Sequence, residues 1–113
     1  MNGQDIQIEQ NKAYESMEKS NKKAHEKDLE MAEFVRQYDI ALGQKILQLR
    51  SEGVQASIVE KVAKSDPNIA EIKFNASVCE AESRAAKENI NIKKKIFDSL
   101  EATKKRELGY AST

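Results

Sequence analysis

The sequence predicts an all-α protein: a long antiparallel helical hairpin, coiled-coil-like, with a short connecting helix. Three observations predict it. Of the 113 residues 34% are charged, with four Gly, one Pro, no Trp and 5% aromatics, the profile of long helices with wet faces rather than of a compact globule. No proline interrupts the stretch from Gln7 to Arg50, where helix formers dominate. Further on, Ile69, Ile72, Ala76, Cys79, Ser83, Ala86, Ile90, Lys93, Phe97 and Leu100 follow one another in steps of three and four, the spacing that keeps one stripe facing a partner helix.

Residues 1–5 are a polar start expected to fray. Residues 1–30 form a polar arm: between Glu9 and Glu30 the apolar residues are Ala13, Tyr14, Met17, Ala24 and Leu29, set among alternating charges. Such a half-helix gains from i, i+4 ion pairs but has little to bury. In residues 31–52 the character changes. Met31, Val35, Tyr38, Leu42, Ile46 and Leu49 form a stripe that Phe34, Ile40, Ala41 and Leu47 widen, so this half needs more than one neighbour. Gly43 interrupts the stripe at a cost of about 1 kcal/mol, which calls for a close helix contact or a bend. Gly53 ends the element.

In residues 54–64, Val54, Ile58, Val59, Val62 and Ala63 fit one face of a short helix, capped by Gln55 or Ser57, that closes the end of the hairpin. Asp66-Pro67 then supplies an N-cap oxygen followed by a residue whose missing N–H is harmless in the first turn. The last helix covers 66–108, Gly109 offers a left-handed stop, and 109–113 is a tail.

A hinge centred on residues 53–66 sets Tyr38 near Ala81 and Met17 near Ala102. The small residues Ala76, Cys79, Ser83 and Ala86 then face the bulky stripe around Phe34 and Leu42, large against small. In this register Ile90, Ile92, Ile96, Phe97 and Leu100 face the apolar-poor arm and require another cover. A second copy of the chain would supply it, so these five residues are the expected interface of a homodimer or higher oligomer.

Function classes narrow by chemistry. The 19 basic and 19 acidic residues give zero net charge, so no global field favours nucleic acid or membrane. No apolar run approaches a membrane span, and MNGQDIQIEQ lacks the features of a signal peptide, so the expected location is the cytoplasm. Cys79 is the one cysteine and lies on the seam, where a small core residue is the expected role. His25 is also alone. Glu80 and Glu82 lie on different faces, Ser57 and Ser65 lack a base, and Glu26 and Glu30 have lysine rather than histidine neighbours. These patterns predict neither an enzyme nor a cofactor or metal site.

The concentrated charges are Lys93-Lys94-Lys95 and Lys104-Lys105-Arg106, of which Lys94, Lys95, Lys105 and Arg106 are the candidates for phosphate contact. From Lys87 to Arg106 seven bases stand against Glu88, Asp98 and Glu101, while residues 1–40 carry nine acids and six bases, so the facing helix is expected to neutralise much of the excess. The stretch from Leu49 to Ile69 superficially suggests a helix-turn-helix. Its second helix begins Asn68-Ile69-Ala70-Glu71, with no early Arg or Lys to read bases.

The run Lys64-Ser-Asp-Pro-Asn-Ile-Ala-Glu-Ile-Lys-Phe, followed by Val78-Cys-Glu-Ala-Glu-Ser-Arg-Ala-Ala-Lys-Glu-Asn-Ile90, resembles small coiled-coil accessory proteins of phages and prophages of Gram-positive bacteria. The resemblance covers residues 40–108. It implies a phage-type accessory protein that assists DNA recombination or occupies a host protein. The expected function is therefore a non-enzymatic protein-binding module, an adaptor or inhibitor, with Tyr14 and Met17 on its partner-binding arm. The alternative is a nucleic-acid accessory of phage recombination or replication that uses the basic runs.

Overall fold

The computed structural model describes residues 2–112, with the side chains of residues 2–109. Three helices make up these residues: α1 (Gly3–Ser51), α2 (Ala56–Lys64) and α3 (Pro67–Ser112). The all-α hairpin with its short connecting helix is thus the observed architecture.

Each helix boundary has an identifiable cause. Asn2 caps α1, its side-chain oxygen accepting the Asp5 N–H at 2.9 Å while its carbonyl accepts from Ile6, so the start is held rather than frayed. At the other end Gly53, with φ 94°, makes the one left-handed turn among the described residues. The Val54 N–H reaches the Leu49 carbonyl and the Gly53 N–H reaches that of Arg50, and Val54 packs on Leu49. This is the Schellman arrangement with its accompanying apolar contact. Helix α2 begins after extended Gln55, whose side chain makes no capping bond. For α3, Asp66 accepts the N–H groups of Asn68 and Ile69 at 2.9 and 3.3 Å, the N-cap that the Asp-Pro pair predicts.

Two glycines depart from expectation. Gly43 stays within α1, and a Cβ built there would meet nothing within 4 Å, so no close helix contact explains it. At Gly109 no left-handed stop forms, and α3 runs on to Ser112. Glycine permits such a turn without imposing it; at Gly53 the Val54–Leu49 contact fixes it.

The chain forms two compact units, one of Met1–His25 with Ser83–Thr113 and one of Glu26–Glu82. In the unit of Glu26–Glu82, α2 packs on the end of α1. Leu49, Val59 and Ala63 are its buried centre, with Leu42, Ile46 and Val54 around them. On α3, Ile69 and Cys79 are buried, Ile72 and Ala76 half-buried. The widened α1 stripe resolves into seam residues, half-buried Met31, Phe34, Tyr38 and Leu42, and outward ones, since Val35, Ile40 and Leu47 are exposed.

In the unit of Met1–His25 with Ser83–Thr113, α1 buries Ile6, Gln10, Ala13 and Ala24 with Met17 and Ser20 half-buried, again in steps of three and four. The polar arm has a seam after all, in which small and polar residues stand between Ile6 and Met17 and beyond. Opposite it α3 buries Ser83 and Ala86 and half-buries Ile90, Lys93, Phe97 and Leu100.

The register differs from the symmetric expectation. Gln10 bonds Glu101 and Ser20 accepts from Asn89, while in the other unit Cys79 bonds Glu30 and Lys27 pairs with Glu82. A symmetric hairpin would set Ser20 near residue 99, so α3 is displaced by nearly three turns. The cause is α2. The chain reverses at Gly53 rather than across the whole of 53–66, and α2 already runs back over Leu42, Ile46 and Leu49, so α3 starts beside Lys45, whose ammonium lies 3.5 Å from Asp66.

Candidate functional site

The displaced register divides the five residues expected at an oligomer interface into two groups. Ile90, Phe97 and Leu100 are half-buried on the side of α3 that faces α1, because Gln10, Ala13 and Ser20 now lie in their register. Ile92 and Ile96 remain outward, 53% and 42% exposed. The large-against-small fit changes too: Ala24 and Ala86, one turn from the Ser20–Asn89 bond, are both buried, so small faces small there.

Polar side chains occupy seam positions in this unit. Gln10 is 2% exposed and donates from Nε2 to Oε2 of Glu101 at 2.6 Å. Asn89 donates from Nδ2 to the Ser20 hydroxyl at 2.6 Å and lies 3.4 Å from that of Ser16. Lys104 donates to Gln7 Oε1 at 2.9 Å. Buried polar groups paired across a seam hold one register, because any slip leaves them without partners. Sequence reading missed these residues, since they are polar; their three-and-four spacing, continued backwards from Met31 and Phe34, was the signal that could have found them.

In the unit of Glu26–Glu82, the Cys79 thiol donates to Glu30 Oε2 at 3.6 Å. Burial first, and then the neighbouring Glu30 carboxylate, push the thiol pKa above its ordinary value. Lys27 bridges Glu30 at 3.1 Å and Glu82 at 3.2 Å, which holds the Glu30 carboxyl below its usual range. The arrangement protects the thiol rather than activating it. No group of three or more His, Cys, Asp or Glu is disposed to hold a metal among the described residues.

The candidate arm residues diverge. Tyr14 points outward, 55% exposed, and a hydrogen bond to Glu18, one turn on, raises its phenol pKa. Met17 is half-buried in the seam. The candidate phosphate contacts Lys94, Lys95, Lys105 and Arg106 are all exposed, whereas Lys93 and Lys104 are half-buried. Within the basic runs, Lys104 reaches across to the amide oxygen of Gln7 on α1. No helix is long and apolar enough to cross a membrane among the described residues. Compared with protein-family models, curated proteins and solved structures, the chain matches none.

Proposed function

We propose that the protein is a non-enzymatic accessory module, an adaptor or inhibitor of phage type, that acts as a helical homo-oligomer in the cytoplasm and binds another protein through the arm of α1. The supporting observation is the apolar surface of that arm. Ile8 and Tyr14 are 46% and 55% exposed although the same helix already fills its seam with Ile6, Ala13 and Met17. Exposed aromatic side chains on an otherwise charged helix are the kind of anchor that protein interfaces use. The test compares capture of host proteins by the wild type and by Ile8→Ser/Tyr14→Ala, matched for helicity by circular dichroism. A protein retained by the first and lost by the second is expected; equal retention contradicts the assignment to the arm.

A second reading, nucleic-acid binding, has its own support. Lys94 and Lys105 are eleven residues apart, about three helical turns, so they lie on one side of α3, and Lys95 and Arg106 repeat the relation. Asp98 and Glu101 interrupt the stripe and weaken its field, which ranks this reading second. Replacing the four by Glu should abolish any salt-sensitive complex with single-stranded DNA in fluorescence anisotropy; a complex that survives refutes this role for them.

A further inference from the structure

Resting on the homo-oligomer reading, we infer that a second copy of this chain docks antiparallel on the outward face of α3 around Phe74, in the unit of Glu26–Glu82, with the two-fold axis beside Asn75 and Ala76. Phe74 is 61% exposed and Val78, one turn on, is 37% exposed. Ala70, Phe74, Ser77 and Ala81 follow in steps of four, three and four, all exposed, so this outward face carries its own short seam, distinct from the one that faces α1.

The seam is self-complementary. In an antiparallel pair about that axis, Phe74 lies over Ser77 of the second copy and Ala70 over Ala81, bulky against small, so the rings fit without separating the backbones. The flank agrees in charge, because Lys73 comes opposite Glu80 of the second copy, and the symmetry makes this pair twice. The outward face of α1 also exposes Leu29, Ile40 and Leu47, but the Glu33–Arg36 ion pair interrupts it between Leu29 and Ile40. Just over three turns of helix offer less than the roughly 800 Å² per partner of a standard interface, so the dimer is weak and depends on concentration.

Sedimentation equilibrium of the full chain across a hundredfold concentration range tests this. The wild type should shift from monomer to dimer. Lys73→Glu and Glu80→Lys each create like-charge contacts and should weaken the dimer about tenfold or more, while the double swap restores it. Phe74→Glu, at an exposed position, should abolish the dimer with helicity unchanged. A dimer that tolerates Phe74→Glu but is lost in Ile92→Glu/Ile96→Glu overturns this placement and leaves the oligomer reading standing. A monomer at every concentration overturns both.

Discussion

Leu47 and Leu49 are two residues apart on α1, and the register of the hairpin end predicts opposite fates for them. Leu49 is 8% exposed within the cluster of Val59 and Ala63, whereas Leu47 is 72% exposed. Leu49→Ala removes three buried carbons, a transfer loss of about 2.4 kcal/mol at ~0.8 kcal/mol each. A residual cavity adds to this, but Leu42, Ile46 and Val54 are only partly buried and can settle inwards. The expected destabilisation is therefore about 2–3 kcal/mol, at the low end of core Leu→Ala changes. Leu47→Ala should stay within about 0.5 kcal/mol of wild type. Urea unfolding followed by circular dichroism measures both. A loss below ~1 kcal/mol for Leu49→Ala, or equal losses for the two, would refute the docking of α2 on the end of α1.

Other perturbations follow from the same geometry. Gly43→Ala should stabilise by about 1 kcal/mol, since the site is helical and open, while Gly53→Ala should destabilise by about 1–2 kcal/mol because its φ of 94° is left-handed. Thermal melts distinguish the two. Cys79 should react with iodoacetamide far more slowly than a free thiol at pH 8, its raised pKa leaving little thiolate; urea should restore the free rate. The Asp66 carboxyl is held below its usual range, first by the Ile69 N–H and with help from Lys45. Its stabilising contribution is present above the ordinary carboxylate pKa and lost as pH falls through the lowered folded value. Asp66→Asn keeps a capping oxygen without the titration, so its deficit in melting temperature should shrink on acidification below about pH 4.

The sequence makes some of this visible and hides the rest for physical reasons. The α3 seam is legible from Ile69 to Leu100 because its apolar residues keep the three-and-four spacing with only Ser83 and Lys93 among them, and Asp66-Pro67 marks its start. The first half of the α1 seam is obscured by its chemistry: Gln10, Ser20 and Lys27 hold seam positions by pairing with α3, so a hydrophobic pattern alone passes over them. The register depends on where the chain reverses. Gly53 is visible as a stop, but α2 lying back along α1 follows from a tertiary contact, Leu49 with Val59 and Ala63. With that displacement Ile90, Phe97 and Leu100 come level with Ser20, Ala13 and Gln10 of α1. The arm of residues 1–30 changes meaning with it. Ile6, Gln10, Ala13 and Ala24 are buried, so removing residues 1–28 would strip the cover from the second half of α3.

The register is the claim on which these assignments rest, and crosslinking tests it most directly. In a Cys79→Ser background, Ser20→Cys/Asn89→Cys places two thiols where Asn89 now bonds Ser20, whereas Ser20→Cys/Ser99→Cys places them in the register of a symmetric hairpin. Mild oxidation should close an intramolecular disulfide in the first double variant, seen as a faster band on a non-reducing gel, and leave the second open. Closure in the second double variant, with the first left reduced, would contradict the displaced register.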